Sequence, residues 1–237
     1  DNIVFEKILS GIKLKQAKYI AQAISLVEND ENLILDYLSP ISCNSYRIGI
    51  TGPPGSGKSS ITNQLIEEFI TNNYSIAIIA IDPSSPFNGG AILGDRIRFS
   101  NTFKNSDIFF RSMSTRGSQG GLSKSATLVA DVFDASGYDI IIFETVGVGQ
   151  VEIDVIEAAD TVMVTLVPES GDDVQMMKSG LMEIADLYII NTCSVTDNAN
   201  KKARKTIRWA LRKSPHAKII VIGNGGDDLP IILNTDD

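Results

Sequence analysis

Residues 47–60 read RIGITGPPGSGKSS, and this stretch decides the fold. Its first part continues an apolar strand pattern through Tyr46, Ile48 and Ile50. Its second part is a complete G-x-x-x-x-G-K-S motif, and residues 61–70 behind it have the apolar spacing of a helix. A strand, a glycine-rich turn and a helix in this order predict a phosphate-binding loop.

The residue types of the motif suit that chemistry. Glycines let the backbone N–H groups approach a phosphate closely, and the helix that follows directs its N-terminus at the anion. Lys58 adds a positive charge near the terminal phosphates, and the Ser59 hydroxyl is suited to Mg²⁺. The predicted nucleotide-binding residues of the loop are Gly52, Pro53, Pro54, Gly55, Ser56, Gly57, Lys58, Ser59 and Ser60.

Length and composition restrict the class of protein. A chain of 237 residues with 43% hydrophobic residues can bury one large core, and the formal charge of −8 argues against a nucleic-acid surface. Two cysteines and one histidine support neither a disulfide framework nor a Cys/His metal site. No apolar run is long enough for a membrane span, so we expect a soluble protein without a membrane partner.

The hydrophobic pattern predicts an α/β fold of three layers with a mainly parallel sheet. Residues 1–44 are expected to form an N-terminal helical segment, and residues 45–237 a nucleotide-binding domain. Further strands are predicted at 75–81, 107–110, 140–147, 161–167, 187–190 and 218–222. Further helices are predicted at 122–135, 174–184 and 201–213, the last with a solvated basic surface and an apolar face of Ala203, Ile207, Ala210 and Leu211.

Acidic residues follow two of the predicted apolar strands. Asp82 comes directly after one strand, with Asp95 at the far side of a long polar loop, and Glu144 ends another. Because ligands bind at the carboxyl ends of parallel strands, Ser59, Asp82, Asp95 and Glu144 are the predicted Mg²⁺ ligands. Ordinary turn and cap aspartates are the open alternative at Asp82 and Asp95. Gly147 is placed to offer its N–H to a terminal phosphate.

Four segments together resemble one family, the MeaB/ArgK/MMAA group of P-loop GTPases. They are GITGPPGSGKSS from residue 49, AIDPSSPFNGGAILGDRIR from 80, ETVGVGQVEID from 144 and VPESGDDVQMMKSGLMEIADLYIIN from 167. They occur in the family's order between residues 48 and 190.

The resemblance implies a Mg²⁺-dependent GTPase that acts as a switch and chaperone. Its partner would be an adenosylcobalamin-dependent acyl-CoA mutase of the methylmalonyl-CoA mutase type. Lys58, Glu144, Asp82 and Gly147 would form the catalytic set, and Asp172, Gln175 and Lys178 would report the nucleotide state to the mutase. A cytoplasmic location is implied, or the mitochondrial matrix in a eukaryote. Because no long C-terminal helical extension, through which relatives dimerise, follows Asp237, a homodimer is left open.

The base-reading segment departs from the family pattern. A guanine-specific GTPase has Asn-Lys-x-Asp, whereas residues 191–194 read NTCS, so Asn191 is the only nucleotide-binding residue expected there. A non-hydrolysing or relaxed-specificity nucleotide-binding regulatory module is therefore the alternative function. A metal-insertion GTPase is disfavoured, because such a protein normally needs clustered Cys or His ligands. An amino-acid transport kinase is also disfavoured, because it needs a phosphoacceptor residue and we find none to nominate.

Turnover without the partner is expected to be slow. No glutamine follows Gly147 directly, because Val148 takes that position, and Gln150 is only a weak candidate for orienting the attacking water.

We predict weaker discrimination between guanine and adenine nucleotides than in relatives of this family. Hydrogen bonds to a charged group contribute roughly 1.5–3 kcal/mol each, so a missing bidentate carboxylate lowers the guanine preference by a factor on the order of a hundred. Competition of ATP against labelled GTP measures this preference. A GTP preference above about a thousandfold would mean that another residue reads the base.

Overall fold

The computed structural model describes residues 2–29, 34, 38, 44–81, 107–114, 119–146, 149–168, 180–192, 197–223 and 231–233. Seven helices and eight strands have both ends within these residues. They are α1 (Asn2–Lys13), α2 (Ala17–Glu28), β1 (Tyr46–Thr51), α3 (Lys58–Thr71), β2 (Ile76–Ile81), β3 (Ile108–Met113), α4 (Gln119–Ala135), β4 (Ile140–Thr145), α5 (Gln150–Ile156), β5 (Thr161–Leu166), α6 (Leu181–Ile184), β6 (Leu187–Thr192), α7 (Asp197–Lys213), β7 (Lys218–Gly223) and β8 (Ile231–Leu233).

The chain divides into two compact units. The first comprises Asp1–Arg47 and Leu65–Glu144, and the second comprises Ile48–Gln64 and Thr145–Asp237. The predicted boundary after residue 44 stays a prediction. None of the described helices is both long enough and apolar enough to cross a membrane.

In the first unit, the strand order is β3-β2-β4. Strands β2 and β3 are parallel, with Ile76 opposite Ile108 and Ile81 opposite Met113. Every residue of β2 is buried. A strand without polar alternation is typical of a sheet covered on both faces, which is why the continuous apolar run was readable as a central strand.

The N-terminal helices are part of the first unit. Helix α2 packs against both α1 and α4, and its apolar stripe of Ile20, Ala23, Ile24 and Val27 is buried. The predicted helical character of this segment is confirmed by α1 and α2, and Val4 of α1 is 60% exposed and lies outside the core. The helical spacing alone could not show which end of α1 would be covered.

A cation between these helices reaches the sheet. The Lys15 ammonium donates a hydrogen bond to Ser75 Oγ at 2.7 Å and lies 4.8 Å from the centre of the Tyr138 ring. Ser75 Oγ in turn donates to the Asp139 carboxylate at 2.8 Å. Burial, followed by the negative charge of Asp107, raises the pKa of Tyr138 to about 12. Lys15 thus couples the helical segment to the residues that begin β2 and β4.

A second ionic contact involves Arg111. This residue lies in β3, and its guanidinium donates to the Glu28 carboxylate of α2. Strand β3 continues to Met113, beyond its predicted end at Phe110.

In the second unit, the strand order is β1-β5-β6-β7-β8. The first four strands are parallel, and β8 runs antiparallel to β7. This confirms the mainly parallel sheet and adds a strand that the sequence analysis did not predict. Tyr46 begins β1 but is 49% exposed, so its assignment to a buried run was wrong.

The core of the second unit lies between its strands and helix α7. Trp209 and Ala210 pack with Val164, Tyr188 and Ile219. The Tyr188 hydroxyl donates to the Met182 carbonyl, and burial raises the pKa of Tyr188 well above its usual value. A neutral buried phenol with a carbonyl acceptor is satisfied in this apolar site.

Helix α7 has the predicted solvated basic surface. Its exposed cations are Lys201, Lys202, Arg204, Lys205, Arg208, Arg212 and Lys213. Of the predicted apolar face, Ala203 and Ala210 are buried, and Ile207 and Leu211 are partly buried and pack against the core. The predicted face is therefore confirmed, and the buried Thr206 and Trp209 extend it.

We predict that Lys15→Met lowers the free energy of unfolding by about 1.5–3 kcal/mol, the range for a hydrogen bond with a charged group. Lys13→Met, at an exposed position of α1, is the matched control and is expected to change it by less than about 0.5 kcal/mol. Urea unfolding of both variants measures the difference. Equal unfolding midpoints would show that Lys15 does not anchor the helices.

Candidate functional site

The predicted phosphate-binding loop joins β1 to α3. Helix α3 begins at Lys58, three residues before the predicted helix start at residue 61. Lys58, Ser59 and Ser60 therefore form its first turn. The first amides of a helix have no partner within the helix and carry a partial positive charge. No acidic residue stands in the first turn of α3 to oppose an anion. The arrangement therefore suits a phosphate group.

Within the loop, the backbone folds back on itself. The Ser56 N–H donates to the Pro53 carbonyl at 3.2 Å, and the Ile61 N–H donates to the Gly57 carbonyl at 3.0 Å. The Lys58 ammonium lies over the start of the loop, 3.4 Å from the Gly52 carbonyl oxygen. The loop is thus a compact turn with its single cation beside it.

Glycine is favoured at two positions of the loop for different reasons. A Cβ atom at Gly52 would lie 2.1 Å from Thr165 Oγ1 and 2.5 Å from the Thr165 carbonyl oxygen, so no side chain fits there. A Cβ atom at Gly55 would meet nothing within 4 Å, but its φ of +78° is a conformation that other residues adopt only with strain. The motif therefore combines a packing constraint with a conformational one.

Asn191 is the second predicted nucleotide-binding element that the structure places near the loop. It lies in β6, and its amide nitrogen is 3.5 Å from the position that a Cβ atom at Gly57 would take. The next residue, Thr192, donates its hydroxyl to the Ile222 carbonyl at 3.1 Å and so ties the end of β6 to β7. Cys193 and Ser194 lie outside the described residues.

The predicted metal ligands fall in different parts of the chain. Ser59 is exposed in the first turn of α3, and Glu144 is partly buried near the end of β4. Glu144 belongs to the first unit and Ser59 to the second, and the role of each stays a prediction. Among the described residues, no three His, Cys, Asp or Glu side chains cluster as a metal site.

Several predicted residues lie outside the described residues. They are Asp82, Asp95, Gly147, Asp172, Gln175 and Lys178. Their assigned roles in catalysis, metal binding and partner signalling therefore stay predictions.

Gln150, the weak candidate for orienting water, begins α5. Its amide nitrogen donates to the Asp154 carboxylate at 2.7 Å on an exposed helix face. This contact joins side chains four residues apart and holds the amide along the helix.

Sequence reasoning missed a set of buried hydroxyl groups beneath the loop. Thr51, Ser56, Thr145 and Thr165 are each no more than 1% exposed. The signal that could have revealed them is a threonine at the carboxyl end of three predicted apolar strands, because a buried hydroxyl needs a hydrogen-bond partner.

Comparison with known proteins gives a consistent result. A family model described as "Methylmalonyl Co-A mutase-associated GTPase MeaB" matches residues 20–220. A relative from Pyrococcus horikoshii is 46% identical over 189 residues, which cover 78% of this chain and 60% of the relative. The "Methylmalonic aciduria type A homolog, mitochondrial" of Caenorhabditis elegans is 33% identical over 225 residues, which cover 87% of this chain and 54% of the relative.

A solved structure is similar over most of the chain. The crystal structure of LAO/AO transport system kinase aligns with a TM-score of 0.70 at 28% identity, covering 94% of this chain and 70% of that chain. This similarity confirms the predicted three-layer α/β P-loop fold. The chain spans 60% and 54% of the length of the two relatives above.

We predict that Gly52→Ala abolishes nucleotide binding, because the added methyl group would overlap Thr165. Gly55→Ala is the matched control, since it meets no neighbour and costs only the backbone strain of about 1–2 kcal/mol. Titration of both variants with a fluorescently labelled GDP measures the effect. If Gly52→Ala binds as well as Gly55→Ala, the close packing at Gly52 does not shape the site.

Proposed function

Because the chain belongs to the MeaB family of methylmalonyl-CoA mutase-associated GTPases, as its resemblance to the MeaB/ArgK/MMAA group implied, we propose that it is a nucleotide-dependent switch. In this proposal it binds and hydrolyses GTP, and it protects and loads an adenosylcobalamin-dependent acyl-CoA mutase. The observation that carries the nucleotide part is the glycine loop that leads into α3 with Lys58 over it. The mutase part is supported by the family description and by the name of the Caenorhabditis elegans relative.

The proposed chemistry is in-line attack of water on the terminal phosphate of GTP. Amides of the loop and of the first turn of α3 hold the phosphates, and Lys58 neutralises the charge that develops on them. Ser59, Glu144, Asp82 and Asp95 would hold Mg²⁺, whose oxygen preference their hydroxyl and carboxylate groups match. When bound, Mg²⁺ supplies further positive charge to the phosphate oxygens.

Slow turnover without a partner is part of the proposal. Val148 occupies the position where a water-orienting glutamine would stand, and Gln150 is engaged with Asp154. The mutase would therefore supply the missing acceleration. Gly147 would sense the terminal phosphate, and Asp172, Gln175 and Lys178 would transmit that state to the mutase.

The alternative proposal is a nucleotide-binding regulatory module with relaxed specificity or without hydrolysis. It is favoured by the sequence NTCS at residues 191–194, which lacks the lysine and aspartate of a guanine-reading segment. The phosphate loop serves both proposals equally, so hydrolysis separates them.

The proposed location is the cytoplasm, or the mitochondrial matrix for a eukaryotic source. The mitochondrial relative of Caenorhabditis elegans is compatible with the second location. A homodimer is likewise a proposal taken from the family.

Phosphate release from GTP, measured with and without a purified methylmalonyl-CoA mutase, tests the proposal. We expect slow release alone and faster release with the mutase. Lys58→Ala should lower the rate by about a hundredfold or more, since it removes a charge that stabilises the transition state. Lys205→Ala, on the exposed face of α7, is the matched control.

Two outcomes would contradict the switch. Nucleotide binding without phosphate release in either condition would favour the regulatory module. A fast rate without the mutase would contradict the need for a partner.

A further inference from the structure

Four buried hydroxyl groups form a connected network beneath the phosphate-binding loop. Ser56 Oγ and Thr165 Oγ1 are 2.6 Å apart, and Thr165 Oγ1 is 3.2 Å from the Thr51 carbonyl oxygen. Thr145 Oγ1 donates to Thr51 Oγ1 at 2.8 Å. The network joins the middle of the loop to the ends of β1, β4 and β5.

The direction of each hydrogen bond follows from proton counting. The carbonyl oxygen of Thr51 can only accept, so Thr165 donates its one hydroxyl proton there. Thr165 must then accept from Ser56. The Ser56 hydroxyl therefore donates its one proton to Thr165 in the protein interior.

Ser56 is well placed to control the loop. It lies between Gly55 and Gly57, whose φ angles are +78° and +84°. Glycine adopts many backbone conformations in a free chain, so these two residues do not fix the shape of the loop by themselves. Without a side-chain anchor, a turn with two such residues would lose much conformational entropy on binding a ligand. The bond to Thr165 holds the loop in one shape before the ligand arrives.

Thr165 also limits the start of the loop. A Cβ atom at Gly52 would collide with its hydroxyl and carbonyl oxygens, and would lie 3.0 Å from Ser56 Oγ. One side chain of β5 therefore contacts both the first residue of the loop and its middle.

We propose that Thr165 and Ser56 are positioning residues that hold the loop in its phosphate-binding shape, and that Thr145 links the same network to the segment after Glu144. This inference rests on the proposed nucleotide binding at the loop and adds the groups that set its affinity. Thr165 and Ser56 act on the phosphates shared by GDP and GTP. Thr145 donates to the Thr51 hydroxyl, so it supports the same network from the end of β4.

The test compares Thr165→Val, which keeps the shape and removes the hydroxyl, with Thr165→Ser, which keeps the hydroxyl. We expect Thr165→Val to weaken the binding of labelled GDP and GTP by about tenfold, close to the value of one buried hydrogen bond, and Thr165→Ser to bind within about threefold of the wild type. Ser56→Ala should weaken binding by no more than Thr165→Val, since the Thr165 hydroxyl also donates to the Thr51 carbonyl. The double variant should match Thr165→Val, because the bond lost in Ser56→Ala is already lost there.

Thr145→Val should lower the affinities for GDP and GTP by the same factor, and by less than Thr165→Val, because Thr145 joins the network through the Thr51 hydroxyl. Ser136→Ala is the matched control for a lost buried hydroxyl, since Ser136 Oγ donates to the Val132 carbonyl at 2.7 Å in the first unit. It should lower the unfolding midpoint without changing either affinity.

These measurements distinguish a failure of the proposed nucleotide binding from a failure of the proposed hydroxyl network. A wild-type protein that binds neither nucleotide would overturn the proposed function itself. Wild-type binding with unchanged affinity in Thr165→Val, or additive losses in the double variant, would overturn the network alone. If Thr165→Val fails to fold, the Ser56→Ala variant decides, since its position in a loop between glycines tolerates a smaller side chain.

Discussion

The contact between Gly52 and Thr165 sets the geometry of the phosphate loop. Strands β1 and β5 are parallel, with Thr51 opposite Val164, so the residue after β1 meets the next residue of β5. There is no space between them for a side chain. The register of two buried apolar strands therefore fixes where the loop starts, and the loop in turn fixes where α3 begins. A change of register would move every predicted phosphate ligand at once.

The first unit depends on a different kind of contact. Its N-terminal helices bury an apolar stripe, but polar links specify where they attach: Lys15 at Ser75, and Glu28 at Arg111. Apolar packing is tolerant of small shifts, whereas hydrogen bonds with charged partners have strict distances and angles.

Much of the fold and the loop could be predicted from the sequence, because the deciding information is local. Continuous apolar runs identified the central strands, and the motif from Gly52 to Ser59 requires specific residue types within eight positions of one another. The hydroxyl network could not be predicted, since Ser56 and Thr165 are 109 residues apart and Thr51 and Thr145 are 94 apart. The same reason applies to Glu28 and Arg111, which are 83 residues apart. Local sequence indicates that a buried hydroxyl needs a partner, but only the folded sheet identifies it.

The position of Asn191 separates the two tasks of a nucleotide site. Its amide nitrogen lies beside Gly57 of the phosphate loop, so it belongs structurally to the phosphate side of the site. In the family pattern, the lysine and aspartate after this asparagine face the base. Thr192 and Ser194 stand in their places in this chain. Because Thr192 donates its hydroxyl proton to the Ile222 carbonyl, its hydroxyl could only accept a hydrogen bond from a base. In the proposed function, the departure from the family pattern therefore affects the choice of nucleotide, whereas the loop and the threonines beneath it hold the phosphates.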